Sequence, residues 1–154
     1  MTAEIGQPAP AFTLKDQAGN DVSLSDFAGK SAVALVFYPF SFSGVCEGEL
    51  SQLRDDFSDF EAAGVQVLAV SCDSRHAQRV WAEKQGYNFP VLSDFWPHGA
   101  VAREYGVFND TLGCAIRATF FINKSGEIVD EFHTDALSTA RETGRYREAF
   151  AKVV

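Results

Sequence analysis

Continuous apolar runs alternate along this chain with segments in which apolar residues recur every three or four positions. The runs SAVALVFYP (31–39) and VQVLAVSC (65–72) are apolar at almost every position and partly β-branched, which is typical of strands buried on both faces. Between them lies a set of apolar residues at helical spacing, Leu50, Leu53, Phe57 and Phe60. Gly64 follows as a candidate helix end. The pattern predicts a strand, an amphipathic helix and a second strand.

The middle of the chain continues this alternation. The segment SRHAQRVWAEKQG (74–86) predicts a second helix, with Ser74 as its N-cap and Gly86 at its end. Its predicted inward-facing residues are Ala77, Val80 and Trp81. The aromatic segment 88–108 is interrupted by prolines, so we expect a short strand, a loop and a short helix there.

Two hairpins and a terminal helix complete the predicted elements. Phe12–Leu14 and Val22–Leu24 flank the turn-like stretch KDQAGND, and RATFFINKSGEIVDEF (117–132) contains a turn rich in Asn and Gly. The last helix is expected from Arg141 to Val153. Strands that alternate with helices predict parallel pairing with right-handed crossovers, to which the late hairpin adds an antiparallel edge. We therefore predict an α/β chain with a thioredoxin-like fold and an N-terminal β-hairpin extension, in a single domain over 1–154.

Composition and charge narrow the classes of partner. The chain has 154 residues, of which 46% are hydrophobic, and a formal net charge of −8. That charge disfavours nucleic acid and anionic membranes, so we expect no nucleic-acid partner and no membrane partner. The first residues, MTAEIGQPAPAF, lack the basic and apolar regions of a secretory signal, which predicts a cytoplasmic protein.

Cys46, Cys72 and Cys114 are the only cysteines, and their odd number and irregular spacing do not form a disulfide framework. The chain has no Cys-x-x-Cys pair, and its three histidines lack the spacing of zinc ligands. We therefore expect no metal and no cofactor. In a reducing cytoplasm, an unusually placed thiol is more often chemical than structural.

Cys46 is placed unusually, because the first long strand should end near Tyr38 and the next helix should begin near Gly44. The cysteine would then lie in the first helical turn, where unpaired N–H groups point at the sulfur and favour a thiolate. A helix terminus contributes only about 0.3–1 kcal/mol, which is too little for full ionisation, so a cation should lie nearby. A thiolate whose pKa has been lowered is also intrinsically less nucleophilic, so fast chemistry requires groups that stabilise the transition state.

The spacing Pro39-x-x-x-Ser43-x-x-Cys46 resembles the peroxiredoxin signature. Glu49 stands where that family commonly has a glutamate, and Arg117 opens a late strand as the family's second-site arginine does. The resemblance extends from Ile5 to about Phe150. The segments SDFWPHGAVAREYGVFN and GVCEGELSQLRD look most like the alkyl hydroperoxide reductase E (AhpE) type of actinobacteria.

This resemblance implies peroxiredoxin architecture and the reduction of hydrogen peroxide and alkyl or fatty-acid hydroperoxides. The Cys46 thiolate would attack the distal peroxide oxygen and become a sulfenic acid. The resemblance further implies that Arg117 supplies the cation and holds the peroxide, while the Ser43 hydroxyl donates to sulfur or peroxide. Pro39 would shield the sulfur from water, and Glu49 would orient Arg117.

Simpler interpretations remain open for each residue. Ser43 is also a candidate N-cap, Pro39 a strand end and Glu49 a first-turn acid favoured by the helix dipole. Cys72 is expected to be buried and inert. Cys114 is a candidate resolving cysteine, but we favour a one-cysteine mechanism in which it is structural or auxiliary. The reductant would then be a glutaredoxin-like or thioredoxin-like protein or a low-molecular-weight thiol, and the resemblance implies a homodimer.

Two other functions use the same fold. A thiol–disulfide oxidoreductase would need a second cysteine at the helix start, where position 43 is serine. A peroxide-sensing thiol protein would share the first chemical step with a peroxidase. Turnover separates them, because an enzyme cycles with a reductant whereas a sensor reacts once.

Overall fold

The computed structural model describes residues 3–154, so the first two residues of the predicted 1–154 domain lie outside the described residues. Seven strands form the main sheet: β1 (Thr13–Lys15), β2 (Asp21–Ser23), β3 (Ala32–Phe37), β4 (Val65–Ser71), β5 (Val91–Ser93), β8 (Arg117–Ile122) and β9 (Ile128–Thr134). Their spatial order is β2-β1-β5-β4-β3-β8-β9. A separate ribbon consists of β6 (Phe108–Asn109) and β7 (Cys114–Ala115).

The helices are α1 (Gly44–Asp55), α2 (Phe57–Ala62), α3 (Arg75–Gln85), α4 (Ala100–Glu104) and α5 (Gly144–Phe150), with a 3-10 turn at Leu24–Phe27. β3 pairs in parallel with β4, and β4 in parallel with β5, whereas β8 is antiparallel to β3. The predicted α/β, thioredoxin-like fold with an N-terminal hairpin is confirmed. In the described part of the chain, no helix combines the length and apolarity needed to cross a bilayer.

The central strand β3 shows why the long apolar runs become strands. All six of its residues are buried, because layers of other elements cover both sheet faces. Ala34, Val36 and Tyr38 face one core cluster, which includes Cys46 and Leu50 of α1. The alternate residues of β3 face a second cluster on the other side, with α4. The first face therefore carries the cysteine-bearing helix.

The predicted helix after Cys46 is wrong in one respect, since it is interrupted. Asp56 has backbone angles of φ −91° and ψ 10°, which end α1 before α2 begins. Its carboxylate accepts a hydrogen bond of 3.0 Å from the Gln52 side chain one turn earlier. Gly64, at φ +72°, follows the end of α2 as predicted.

Two further details of the helices differ from the prediction. Val80 was expected to face inward but is 58% exposed. Gln78 is buried instead, because its amide donates to the Ser71 hydroxyl and the Leu92 carbonyl. The terminal helix runs from Gly144 to Phe150 rather than from Arg141 to Val153. Arg141 is buried, and its backbone N–H donates to a carboxylate instead of starting the helix.

Candidate active site

Cys46 lies in the first turn of α1, just beyond the carboxyl end of β3. The loop from Pro39 to Ser43 joins the two elements, and Ser43 is the N-cap residue with extended backbone angles. Cys46 is 0% exposed. The sulfur therefore lies where the N–H groups of the first helical turn converge, out of contact with bulk solvent.

Arg117 reaches this sulfur from β8. The antiparallel register pairs Phe37 with Ala118, which brings the first residue of β8 to the carboxyl end of β3. Arg117 Nη1 donates to Cys46 Sγ at 3.1 Å and to Glu49 Oε1 at 2.7 Å, and its Nε donates to the Leu137 carbonyl at 2.7 Å. The guanidinium is buried, so its charge acts on the sulfur with little screening by water.

Glu49 lies one helical turn after Cys46 and is held by a second arginine. Arg141 Nη2 donates to Glu49 Oε1 at 2.8 Å, while its Nε and its backbone N–H donate to Oε2 at 3.0 and 2.7 Å. Burial alone would raise the pKa of Glu49, but the hydrogen bonds and charge of Arg141, aided by Arg117, hold that pKa below its usual value. The carboxylate is therefore kept ionised between two guanidinium groups.

Arg141 is a site residue that no sequence pattern indicates. Its Nη1 also donates to the Phe37 and Ala118 carbonyls, at 2.7 and 3.0 Å, so it fixes the ends of β3 and β8. The residue stands in the polar stretch STARETGR, which contains no periodic signal for a buried arginine. Only the three-dimensional pairing with Glu49 distinguishes it from a surface residue.

Pro39 and Ser43 occupy the two ends of the loop before α1. Pro39 is buried two residues after the end of β3 and brings no N–H group. Ser43 is half-buried at the N-cap position, but its side chain makes no capping hydrogen bond among the described residues. The prediction of Ser43 as the N-cap residue is therefore confirmed in position, but its hydroxyl makes no capping bond and is left for other partners.

The other two cysteines have different surroundings. Burial, followed by the negative charge of Asp94, raises the pKa of Cys72 to about 12. Cys114 lies in β7, is 0% exposed, and has its pKa raised by burial and then by the charge of Cys46. All three cysteines are free thiols. Within residues 3–154, no group of three or more His, Cys, Asp and Glu side chains is arranged to hold a metal ion.

The AhpC/TSA family model matches residues 5–131 of the chain. Alkyl hydroperoxide reductase E of Mycobacterium tuberculosis is 48% identical over 124 residues, which cover 80% of this chain and 81% of that protein. The crystal structure of peroxidoxin BcpB from M. tuberculosis superposes with a TM-score of 0.86 at 27% identity, covering 98% of this chain and 96% of that one. Enterococcus faecalis AhpC gives a TM-score of 0.86 at 29% identity, with 98% and 92% covered. The resemblance drawn from the sequence motifs is confirmed.

Proposed function

The chain is a peroxiredoxin of the AhpC/TSA family and hence a thiol-dependent peroxidase, and on that premise we propose that it reduces hydroperoxides through a sulfenic acid on Cys46 with no second cysteine in the cycle. The observation that carries this proposal is the hydrogen bond of 3.1 Å between Arg117 Nη1 and the buried sulfur of Cys46. The Arg117 guanidinium is the cation that the site needs, because the helix terminus alone stabilises a thiolate too weakly.

The chemical steps follow from this arrangement. The Cys46 thiolate attacks the distal oxygen of the peroxide, the O–O bond breaks, and the leaving oxygen takes a proton to become an alcohol or water. Negative charge moves from sulfur onto the two oxygens during this step. Arg117 is already hydrogen-bonded to the sulfur, and its fork of donors suits both oxygens. Glu49 and Arg141 act through Arg117, because they fix its guanidinium before the peroxide binds.

Ser43 and Pro39 complete the proposed site from the loop. The uncapped Ser43 hydroxyl is able to donate to the sulfur or the peroxide and to accept in return. Pro39 offers no N–H that would compete for the thiolate, and its ring excludes water.

Cys114 takes no part in the proposed cycle. It lies in a β ribbon, buried, with a raised pKa, and this environment disfavours the thiolate needed to attack a sulfenic acid. The sulfenic acid is then reduced by an external partner, which we propose to be a glutaredoxin-like or thioredoxin-like protein or a low-molecular-weight thiol. Two thiols of that reductant are oxidised to a disulfide, and the oxygen leaves as water.

Exposed aromatic residues lie on two loops, one of which is the loop before α1, and they support proposals on substrate and assembly. Phe40 and Phe42 are 41% and 54% exposed, which would suit alkyl and fatty-acid hydroperoxides as well as hydrogen peroxide. Phe95 and Trp96, 51% and 81% exposed, would be covered in a homodimer. We also propose an antioxidant role in the cytoplasm, a reducing compartment in which the three free thiols would stay reduced.

The test of the proposed function is Cys46→Ser, with the wild-type protein oxidised in parallel. We expect peroxide consumption to disappear in the variant. Wild-type protein treated with one equivalent of peroxide should gain one oxygen on Cys46 in intact and peptide mass spectrometry. Peroxide consumption by Cys46→Ser, or a Cys46–Cys114 disulfide as the main wild-type product, would contradict the proposal.

A further inference from the structure

The loop that carries the active-site motif is fastened by a carboxylate from a neighbouring strand. Asp73 lies just after β4, and because β3 and β4 are parallel, their carboxyl ends meet at one sheet edge. Asp73 Oδ2 accepts a hydrogen bond of 2.8 Å from the backbone N–H of Ser41, in the middle of the loop. The Ser41 hydroxyl lies 3.0 Å from the Tyr38 hydroxyl. Ser41 is therefore held through both its backbone and its side chain.

Two further contacts hold the loop, one of which is the packing of Phe42 against the buried Trp81, with ring centroids 6.3 Å apart. The other, the internal bond from the Ser43 N–H to the Phe40 carbonyl, is long at 3.4 Å. Phe42 adopts φ +69°, a left-handed conformation that is costly for an aromatic residue and persists only where the surrounding structure enforces it. The residue that directly precedes Phe42 is Ser41, so the Asp73 contact acts on the strained position from its N-terminal side.

Asp73 is itself fixed in place. Ser71 Oγ donates to the same carboxylate oxygen at 2.6 Å and accepts a hydrogen bond of 2.9 Å from the buried amide of Gln78. The Asp73 carbonyl accepts a bond of 2.7 Å from Ser93 Oγ. The carboxylate of Asp73 is thus linked through Ser71 to α3, and its backbone carbonyl is bonded to β5. Hence Asp73 is oriented before it binds the loop, and little side-chain freedom is lost in forming the contact.

We propose that Asp73 is a positioning residue of the peroxidase site, whose carboxylate holds the Pro39–Ser43 loop closed so that Cys46 faces Arg117. The part that concerns peroxide rests on the proposed function above. Closure has two consequences. It keeps the 3.1 Å contact between Arg117 and the sulfur, which the peroxide reaction needs, and it leaves Cys46 0% exposed, which blocks bulkier reagents. Release of the loop should therefore slow the reaction of Cys46 with peroxide and accelerate its alkylation by a bulkier reagent.

The test compares Asp73→Ala with Asp73→Asn, which keeps an acceptor oxygen without the charge. The first measurement is the rate constant for hydrogen peroxide. The second is the rate of Cys46 alkylation by N-ethylmaleimide at neutral pH, located by peptide mass spectrometry. Asp26→Ala is the control, because Asp26 also accepts a backbone N–H bond, from Ser23 at 2.9 Å, beside the 3-10 turn.

For Asp73→Ala we expect the peroxide rate to fall at least about tenfold, consistent with the loss of one charge-assisted hydrogen bond, and the alkylation rate to rise by a similar factor. Asp73→Asn should change each rate by less than about threefold, since the hydrogen bond is kept. The control should change neither. A slower peroxide reaction and a faster alkylation in Asp73→Ala, at an unchanged unfolding temperature, would distinguish a positioning role from a general loosening of the fold.

The proposal is overturned if Asp73→Ala changes the two rates in the same direction or leaves both unchanged, or if Asp73→Asn matches Asp73→Ala in both rates. Should Asp73→Ala fail to fold, Asp73→Ser, which is too short to reach the loop, is measured in the same two ways. The alkylation measurement needs no peroxidase activity. A wild-type protein that consumed no peroxide would therefore contradict the proposed function, while alkylation would still test the loop contact.

Discussion

Cys46 and Cys72 follow neighbouring parallel strands and are both buried, yet groups of opposite charge surround them. The sulfur of Cys46 accepts a hydrogen bond from Arg117, which opens the antiparallel neighbour β8. Cys72 follows β4, and the adjacent strand β5 is followed by Asp94, whose charge adds to burial in raising the pKa of Cys72. A position at the carboxyl edge of the sheet is therefore not sufficient for reactivity. The residue that the neighbouring strand brings to that edge decides the chemistry.

Removing Arg117 should have the largest effect on the reactivity of Cys46. Arg117→Ala deletes the donor that distinguishes Cys46 from Cys72, and we expect the peroxide rate constant to fall by about 10²–10³-fold, the usual cost of losing a donor to developing negative charge. Stopped-flow rates should be recorded together with the ultraviolet absorbance of the thiolate. The loss of rate should exceed the loss of thiolate.

Arg79→Ala is the matched control for this variant, because Arg79 is an exposed arginine whose contact is a surface pair with Glu83 at 3.2 Å. Its rate should equal that of the wild type. If the rate of Arg117→Ala fell only in proportion to its thiolate fraction, Arg117 would act through ionisation alone and stabilisation of the transition state would be excluded.

Glu49 is a second difference between the two regions, since it gives the Cys46 region a carboxylate held between two arginines. The pKa of Glu49 is below its ordinary value of 4.5, so the unfolded chain binds this proton at higher pH than the folded chain does. Its contribution to the free energy of unfolding is therefore fully present above about pH 4.5 and is lost as the pH falls through the lower folded value. Glu49→Gln should be less stable by about 1–3 kcal/mol at neutral pH, with a smaller deficit in acid.

Urea unfolding of the wild type and Glu49→Gln from neutral pH to below pH 4 measures this difference. Glu83→Gln is the control, because that carboxylate is exposed on α3. A deficit for Glu49→Gln that did not shrink with acidification would mean that the carboxylate charge adds nothing to stability.

Much of this contrast could be predicted from the sequence, because local patterns carry it. The long apolar runs predicted β3 and β4, and the turn chemistry predicted both hairpins. The predicted strand end near Tyr38 and helix start near Gly44 placed Cys46 in a first helical turn, and the structure brings Arg117 and Glu49 into contact. These elements depend on residues close together in the chain or on a motif that the family shares.

The rest depends on contacts between distant residues, and no local pattern reports them. Arg141 binds Glu49 across 92 positions of sequence, so its burial is not visible in the polar segment that contains it. Val80 fits the apolar face of a helix by spacing, but the polar partners of Gln78 turn that face toward Ser71 and Leu92. Each error arises where a buried hydrogen bond outweighs hydrophobic periodicity.

Replacing Ser43 should have a smaller effect than replacing Arg117, because the proposed site gains only a neutral hydroxyl from this residue. Ser43→Ala should reduce the peroxide rate constant by about tenfold or less, which corresponds to one neutral hydrogen bond. Ser43→Thr keeps the hydroxyl and should stay close to the wild type. Since the Ser43 side chain makes no capping bond, the unfolding temperature should change little. A large fall in stability without a change in rate would assign Ser43 a structural role only.

The smallest effect is expected from Cys72→Ser and Cys114→Ser, because among the described residues Arg117 donates its thiol hydrogen bond to Cys46 and not to either of these two. Within residues 3–154 neither side chain makes a hydrogen bond to Cys46 or Arg117, so each variant should consume peroxide within about twofold of the wild-type rate. The raised pKa of both thiols keeps them protonated at neutral pH, and brief alkylation of the native protein should leave both unmodified. Peptide mass spectrometry of the alkylated protein measures this directly. If Cys114→Ser abolished turnover with a thiol reductant but left the first oxidation intact, Cys114 would be the resolving cysteine, and the difference between reactive and silent thiols would lie in the order of their reactions rather than in their charges.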